Sequence, residues 1–215
     1  MIKHIHVFTP PNIGWLEITL SKEAIKHVWK CIKKAKEDHR HSLVGNLSVE
    51  LELVDENNWF FKNIIGECLK VYEQQFKFDF YDNIVSHPHA LMMKTWWVNY
   101  QRKHEFNPIH KHNGLFSFNI WMQIPTHYKQ QYELPWSKGT KSPRSSAFVF
   151  HYTNILGRPT DYAYHMSPAQ EGKMVFFPSS LFHSVYPFYK SNKDRISVAG
   201  NITLASEKIV KKFSK

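Results

Sequence analysis

The sequence is poor in cysteine and lacks a long apolar stretch, and each absence excludes a class of protein. Cys31 and Cys68 are the two cysteines among 215 residues, too few for the disulfide framework of a small secreted domain. No apolar run approaches the length of a transmembrane helix, and the first residues lack the apolar block of a signal peptide. We therefore expect a cytoplasmic protein with no membrane partner.

Acidic residues are outnumbered by basic ones. The 28 Lys and Arg residues exceed the 18 Asp and Glu residues, which gives a net charge of +10. Such a charge favours anionic partners, nucleic acid among them. The lysines concentrate at 22–36 and 208–215, away from the candidate site described below, which favours a solvated surface. Nucleic acid is therefore a possible partner but not the favoured one.

Helical patterns precede residue 90. Ser21 is a plausible N-cap, and Ile25, Val28 and Ile32 follow it at helical spacing. Asp55 stands before a second, broad apolar stripe with the same period. These patterns predict two helices that support the rest of the chain.

From residue 91 the pattern changes to short strand-like runs separated by turn residues, which is typical of a β-sandwich or barrel. A jelly roll is favoured, because it brings residues distant in sequence to one opening. The predicted class is α+β, mainly β, with a jelly-roll core and supporting N-terminal helices. We expect one domain over 1–215, with a helical region (1–90), a jelly-roll core (91–203) and a basic tail or short helix (204–215). The strand-like runs are 91–100, 115–124, 147–152, 173–178 and 195–202.

Histidine pairs of the form His-x-His are frequent in this chain. With 14 histidines, composition alone predicts about one such pair. In an extended backbone the two side chains of a pair share one face, so they can present two nitrogens to a single metal ion. Context must choose between the pairs, which are His4/His6, His39/His41, His87/His89 and His110/His112.

The context favours the pair at His110 and His112. It lies between two strong strands, in a turn marked by Pro108 and Gly114, whereas the pair at 87 and 89 is the most credible rival. His183, which lies in another strand-like run, is a candidate for the third ligand. A single histidine between apolar residues is more often a core residue, so this assignment depends on the residues that follow.

Arg195 and Ser197 follow His183 and share one strand face. A buried basic side chain is costly unless it meets an anion. Arginine offers a two-pronged donor that suits a carboxylate, and serine adds a further donor. This cation supports a functional role for His183.

Two other functions remain open at this stage. A zinc site of three histidines could activate water for hydrolysis, with Glu105 as the nearest candidate for a catalytic carboxylate. Alternatively, a jelly-roll module without enzymatic activity could bind an anionic partner through its basic surface. That second alternative leaves the histidine and arginine spacings as coincidence.

Together with His110, His112, His183, Arg195 and Ser197, several further segments resemble the iron(II)- and 2-oxoglutarate-dependent oxygenases. The resemblance covers most of residues 40–203 and is strongest to a prolyl-hydroxylase-like group carried by tailed phages of marine bacteria. The segments are Leu43-Val44-Gly45-Asn46, Trp97-Val98-Asn99-Tyr100-Gln101, Phe106-Asn107-Pro108-Ile109-His110, Phe116-Ser117-Phe118-Asn119-Ile120-Trp121-Met122 and Met174-Val175-Phe176-Phe177-Pro178-Ser179.

The resemblance implies a double-stranded β-helix core and a hydroxylase that uses Fe(II), 2-oxoglutarate and O2, with ascorbate as an aid to turnover. It implies His110 and His183 as iron ligands. It also implies that Arg195, aided by Ser197, holds the distal carboxylate of 2-oxoglutarate. Tyr100 stands ten residues before the first ligand, where such hydroxylases often carry a tyrosine that contacts this carboxylate.

His112 departs from the pattern of the family, which usually has Asp or Glu at this position. Either His112 binds the metal directly as a third imidazole, or it supports the site while water takes the vacant position. Asn113, the next residue, is an alternative to His112 at this position. Asn119, on the polar face of the next strand, is expected to line the co-substrate pocket.

The substrate is not defined by the sequence. A protein side chain such as proline, a free amino acid and a nucleobase all remain open, and the resemblance favours protein hydroxylation. We expect substrate contacts from residues 126–145 and 153–172, because loops on a rigid scaffold usually carry them. If the chain is encoded by a phage, its location would be the host cytoplasm.

Overall fold

Two antiparallel β-sheets form the framework of the protein. The computed structural model describes residues 4–6, 12–76 and 90–205. The strands are β1 Leu16–Thr19, β2 Val49–Glu52, β3 Leu91–Gln101, β4 Asn107–His110, β5 Phe116–Gln123, β6 Phe148–Thr153, β7 Pro159–Tyr164, β8 Lys173–Pro178, β9 Phe182–Val185 and β10 Arg195–Leu204. The larger sheet has the order β1-β8-β5-β10-β3-β2 and the smaller one β4-β9-β6-β7. This is a double-stranded β-helix, and the predicted fold class is confirmed.

Helices cover one side of the larger sheet. Helix α1 (Lys22–Lys34) begins where the sequence predicts, because the Ser21 hydroxyl accepts a hydrogen bond from a backbone N–H of the first turn at 3.2 Å. A π-helical turn leads into helix α2 (Gly66–Phe76). The Asp55 carboxylate caps this second helical segment, since it accepts hydrogen bonds from two successive backbone N–H groups at 2.9 and 3.0 Å. A short helix, α3 (Tyr128–Tyr132), interrupts the polar segment after β5.

Two apolar clusters hold these layers together. One packs α1 and α2 against the larger sheet, and it contains both cysteines, Cys31 and Cys68. The other fills the space between the sheets, where Phe150 of β6 meets Phe177 of β8 with ring centroids 4.9 Å apart. No helix within the described part of the chain is both long and apolar enough to cross a membrane.

Strand β3 shows how the larger sheet separates its two faces. Trp96 and Val98 point toward the helices and belong to the apolar cluster there. Trp97, Asn99 and Gln101 alternate with them, so they face the space between the sheets. All five residues are buried, which means that polar groups on the inner face must find partners inside the protein.

The smaller sheet brings distant histidines together. Strands β4 and β9 pair antiparallel, and the register sets His110 directly opposite His183. Directly opposed residues in such a ladder lie on the same face. These histidines are 73 positions apart in the sequence, but they are directly paired across two neighbouring strands.

The proposed division of the chain stays a prediction, with one structural addition. Strands β1 and β2 lie inside the region 1–90 and complete the two edges of the larger sheet, so that region is more than a pair of helices. The basic tail falls largely outside the described residues, which end at 205.

Candidate active site

Three histidines converge between the sheets. His110 ends β4, His183 lies opposite it on β9, and His112 follows two residues after the strand. The Nε2 atoms of His110 and His112 lie 3.3 Å apart. One ring nitrogen from each of the three residues falls within 4.8 Å of the others. The chain therefore brings together the three imidazoles that the sequence predicts.

Backbone carbonyl groups fix two of the rings. The Nδ1 of His110 lies 2.8 Å from the Pro108 carbonyl oxygen, and the Nδ1 of His183 lies 3.1 Å from that of Leu181. A carbonyl oxygen can only accept a hydrogen bond, so each Nδ1 carries the proton. The lone pair of each ring is thereby left on Nε2, which is how a protein prepares a histidine for a metal.

Side chains of the larger sheet fix the third ring. The Nδ1 of His112 lies 2.9 Å from the Asn201 amide oxygen and 3.1 Å from the Ser117 hydroxyl. The Ser117 hydroxyl also lies 2.8 Å from that of Ser179. The Nδ1 of His112 therefore donates to the Asn201 oxygen, and its Nε2 is left to face His110.

Burial favours the neutral form of all three imidazoles. Burial lowers the pKa of His110. Burial, reinforced by the neighbouring His110, lowers the pKa of His112 to about 4. Burial and the other two rings also push the pKa of His183 well below its ordinary value. A neutral imidazole is the form that binds a metal ion.

The donor set fits a divalent transition metal. Two Nε2 atoms that both carry lone pairs cannot hydrogen bond to each other, yet they lie 3.3 Å apart. A shared cation satisfies both, and imidazole is a suitable ligand for iron. Among the described residues, these three form the one group of at least three histidine, cysteine or acidic side chains that could hold a metal ion.

A cavity of about 170 Å³ opens beside the histidines. Its inner wall comes from β3, β5 and β10, including Asn99, Asn119 and Ser197, and its outer wall comes from the loop 42–47. A larger cavity of about 1090 Å³ runs past Trp15 and contains none of the three histidines. The small polar cavity is therefore the candidate active site.

Arg195 is a buried cation two residues before Ser197 of the cavity wall. Its side chain is 2% exposed, and burial lowers its pKa to about 9. Its Nη2 donates to the Ser146 carbonyl and hydroxyl oxygens at 2.9 and 2.7 Å, and its guanidinium carbon lies 5.3 Å over the Phe188 ring. Within 12–76 and 90–205, Arg195 has no acidic partner and its Nε has no hydrogen-bond partner. Such a cation suits a small carboxylate such as 2-oxoglutarate.

Ser197 and Asn119 line the cavity, and their contact with the co-substrate stays a prediction. The Nδ2 of Asn119 is buried and has no hydrogen-bond partner among the described residues. It is therefore a donor without a partner on a residue of the cavity wall, where an anion would need donors. Arg195 itself does not form part of the cavity wall, so its contact with a co-substrate stays a prediction.

Tyr100 does not line the cavity. In the β3–β10 ladder Tyr100 lies opposite Ile196, and both contribute to the apolar cluster on the helix side. Gln101, one residue later, lines the cavity instead. A step of one residue along a strand reverses the face, so Tyr100 lies away from the cavity, and its contact with a carboxylate stays a prediction.

The rival sites do not assemble in the described residues. His39 and His41 face each other at 6.1 Å between ring centroids but join no group of potential ligands. His87 and His89 lie outside the described residues. Glu105, the carboxylate that a zinc hydrolase would use, accepts hydrogen bonds from Ser48 and from the backbone N–H of Arg102, and it does not line the cavity.

Several cavity residues were not anticipated from the sequence. Glu50 and Asn107 line the wall, and so does the loop 42–47, whereas the segments 126–145 and 153–172 do not. Asn201 could have been found, because it continues the odd-numbered face of Arg195 and Ser197. Glu50 carried no such signal, since its face is set by pairing with a distant strand.

The central part of the chain matches a known protein family. Residues 95–201 match the family model "Putative 2OG-Fe(II) oxygenase". The matched segment runs from β3 to β10 and includes His110, His112, His183, Arg195 and Ser197. No curated protein sequence matches the chain.

Solved structures with the same fold come from several bacteria. An oxidoreductase of the 2OG-Fe(II) oxygenase family from Burkholderia pseudomallei is 12% identical, with a TM-score of 0.52 over 88% of this chain and 84% of its own. A prolyl-4-hydroxylase from Pseudomonas putida is 11% identical, with a TM-score of 0.50 over 87% and 91%. HygX from Streptomyces hygroscopicus, with nickel, 2-oxoglutarate and hygromycin B bound, is 10% identical, with a TM-score of 0.51 over 89% and 83%.

The fold, the histidine site and the family match define the class of the protein. The chain is an enzyme, an iron(II)- and 2-oxoglutarate-dependent dioxygenase. Its metal is iron(II) and its co-substrate is 2-oxoglutarate, and the three histidines form a group that can hold the metal. This identification sets aside both the zinc hydrolase and the module without enzymatic activity.

Proposed function

We propose that the enzyme hydroxylates an aliphatic C–H bond in a protein side chain, with proline as the first candidate. The observation that carries the proposal is the meeting of three Nε2 lone pairs at the edge of a polar, partly enclosed cavity. The fold shared with the Pseudomonas putida prolyl-4-hydroxylase supports the choice of reaction. The phage origin implied by the sequence resemblance stays a prediction.

His110, His112 and His183 have the role of metal ligands in this proposal. His112 supplies an imidazole where a carboxylate is usual, so the loaded site carries one negative charge fewer. Asn201 and Ser117 hold this ring in the same way that carbonyl groups hold the other two. This support is why we assign His112 to direct binding.

Arg195, Ser197 and Asn119 have the role of orienting the co-substrate. Arg195 offers a buried cation, and Asn119 offers a buried N–H donor without a partner among the described residues. Ser197 contributes a hydroxyl on the same strand face as Arg195. These groups would fix the distal carboxylate and so aim the 2-oxo acid end at the histidines.

The cavity walls exclude water from the reaction. Trp97 lies 5.6 Å from His112, and Phe148 stacks on His183 at 5.5 Å, both between ring centroids. When bound, iron(II) and 2-oxoglutarate allow O2 to convert the co-substrate to succinate and CO2, with the second oxygen atom inserted into the substrate C–H bond. The protein's own contribution is position, orientation and dryness.

Co-substrate turnover by the purified protein tests the proposal. Wild-type protein with iron(II), ascorbate and 2-oxoglutarate should form succinate above the rate of iron in buffer. Proline-containing peptides should raise that rate and gain one oxygen atom by mass spectrometry. A wild-type rate equal to the buffer background, with no uptake of metal under anaerobic conditions, would contradict the proposal.

A further inference from the structure

Three buried oxygen acceptors in the active-site cavity lack hydrogen-bond partners among the described residues. They are Oε2 of Glu50, Oδ1 of Asn99 and Oδ1 of Asn107. All three residues line the same cavity as the histidines. Buried polar atoms are nearly always paired, so three unpaired acceptors in one cavity indicate a missing donor.

The three residues lie in one corner of the cavity. Glu50 stands directly opposite Asn99 in the β2–β3 ladder, which places both side chains on one face. Oδ1 of Asn107 and Oε1 of Glu50 lie 2.8 and 3.0 Å from the position that a Cβ on Gly45 would take. A side chain at Gly45 would therefore fill the space between them, and glycine leaves it open.

Glu50 is a buried carboxylate without a cation of its own. Its side chain is 2% exposed, and within residues 12–76 and 90–205 it forms no salt bridge. Arg40, whose charge acts on Glu50, is committed to Asp38 and to the Ser48 carbonyl oxygen. Burial raises the pKa of Glu50 to about 7, and Arg40 opposes that rise only in part.

Neither the metal nor the co-substrate accounts for this corner. Glu50 does not belong to the group of three histidines that can hold the metal. The co-substrate is a dianion and needs donors, whereas these three oxygen atoms accept. Electrostatic complementarity therefore indicates that this corner contacts the substrate that is hydroxylated.

We propose that Glu50, with the amide oxygens of Asn99 and Asn107, binds a cationic nitrogen group of the substrate. An ammonium or guanidinium group supplies several donors and the positive charge that a buried carboxylate lacks. Leu43 and Leu47 of the loop 42–47 line the adjacent wall and suit the aliphatic chain that leads to such a group. The inference rests on the proposed hydroxylase function and names its substrate class.

The cation has two sources that share this chemistry. It lies either on the hydroxylated side chain itself, as in arginine or lysine, or on the residue next to a hydroxylated proline. In both cases Glu50 fixes the substrate by its charge and thereby selects which carbon faces the histidines. The position of the added oxygen atom distinguishes the two sources.

The test compares matched substrates that differ in charge alone. Short peptides that carry arginine or citrulline beside proline, and free arginine or citrulline, are supplied to the iron-loaded enzyme with 2-oxoglutarate. Wild-type protein should turn over the best arginine compound about tenfold faster than its citrulline counterpart, as the loss of one charge-assisted hydrogen bond predicts. Mass spectrometry then locates the added oxygen on arginine or on proline.

Two variants connect the discrimination to Glu50. Glu50→Gln keeps the shape but removes the charge, so the ratio between arginine and citrulline compounds should fall to about one. Glu52→Gln makes the same change two residues later on β2, at an exposed position outside the cavity, and should keep the wild-type ratio. Binding is measured in parallel on manganese-loaded protein with an oxalyl analogue of the co-substrate, from the shift of the thermal midpoint.

The outcomes separate this inference from the proposed function. If the wild type forms succinate from 2-oxoglutarate but neither turnover nor binding prefers the arginine compounds, the substrate assignment is overturned and the oxygenase stands. A preference that persists in Glu50→Gln also overturns it. If succinate formation itself is absent, the proposed function fails, and the binding measurement still decides whether Glu50 holds a cation.

Discussion

The two faces of the six-stranded sheet are built from the same strands and have opposite roles. On β10, Ile196 and Val198 pack against the helices, whereas Arg195, Ser197 and Asn201 face the inner cavity or the groups around it. The helix side is closed by aromatic and aliphatic contacts. Among the described residues, the inner side carries unpaired acceptors, two unpaired donors and a buried cation, whereas the helix-side cluster has one unpaired donor, Nε1 of Trp96.

This comparison teaches that the chemistry is placed by alternation along strands. Every second residue is reserved for stability, and the residues between are free to carry polar groups whose burial is unfavourable without ligands. A cost of this kind is common at functional sites and is offset by packing elsewhere. The variants below test whether the two roles are separable.

The largest effect is expected at the inner face. His183→Ala removes one of three ring nitrogens, and the two that remain should bind iron(II) more than 100-fold more weakly. Anaerobic metal titration and succinate formation should both show the loss, while the thermal midpoint of the metal-free protein should stay near that of the wild type. Full metal uptake by this variant would refute the three-histidine site.

On the helix side the expected effect is on stability alone. Phe118 is fully buried and its ring centroid lies 5.6 Å from that of Phe60. Phe118→Ala should lower the free energy of unfolding by about 4 kcal/mol, because it leaves a cavity in the apolar cluster. Urea denaturation measures this loss, and the 2-oxoglutarate requirement of the folded fraction should be unchanged. A changed requirement would show that the two faces are coupled.

Arg195→Ala should weaken 2-oxoglutarate binding strongly. Loss of a buried charged partner costs about 3 kcal/mol, so the KM for 2-oxoglutarate should rise roughly 100-fold. Arg195→Lys keeps the charge but not the two-pronged donor, so its KM for 2-oxoglutarate should lie between those of the wild type and Arg195→Ala. Circular dichroism verifies that each variant is folded, since Arg195 also bonds to Ser146. An unchanged KM in both variants would exclude Arg195 as the carboxylate anchor.

A pH effect is expected from Glu50. Its pKa is raised by burial from 4.5 to about 7, with Asp38 and Glu105 adding to the rise and Arg40 opposing it. When the pKa of a carboxyl group is higher in the folded state, the group's contribution to stability is greatest below its unfolded pKa of 4.5. This contribution is lost as the pH rises from 4.5 to about 7.

Glu50→Gln removes this pH dependence. At pH 8 the variant should be more stable than the wild type by a margin on the order of 2 kcal/mol, and at pH 4 the two should be alike. Thermal unfolding at both pH values measures the difference. If the wild type and Glu50→Gln were equally stable at pH 8, burial of the Glu50 carboxylate would not destabilise the ligand-free protein.

The smallest effect is expected for Tyr100→Phe. Because Tyr100 lies on the helix side, the loss of its hydroxyl should leave the KM for 2-oxoglutarate within about twofold of the wild type. Asn119→Ala, on the inner face, serves as the comparison and should raise that KM several-fold. The reverse result would support the role that the family resemblance implies for Tyr100.

The fold class and the histidine cluster were accessible from the sequence. His110 and His112 are two residues apart beside a strand, and the strand-like runs pointed to a jelly roll whose ladder could bring His183 to them. The period of two also placed Ser197 on the face of Arg195, as the structure shows. Local periodicity was sufficient for Ser197 because that inference stayed within one strand, whereas the assignment of His183 to the same site drew on the resemblance to a known family.

Inferences that crossed a turn or depended on a distant strand were not accessible. Tyr100 was placed by counting back from His110, but the turn after β3, where His104 has a φ of 74°, changes the parity between the two strands. Glu50 lies on a strand of four residues whose inward face is fixed by pairing with Asn99. No residue pattern within 40–60 predicts the pairing of Glu50 with Asn99.

The position of the two cysteines bears on how this enzyme withstands its own chemistry. Cys31 and Cys68 lie in the helix-side cluster, separated from the metal site by the six-stranded sheet, and burial raises the pKa of their thiols to about 11 and about 12. The thiolate is the form that oxidants attack. An oxidant released at the iron therefore meets no thiol within the described lining of the cavity. The fold keeps both thiols in an apolar cluster on the opposite side of the sheet.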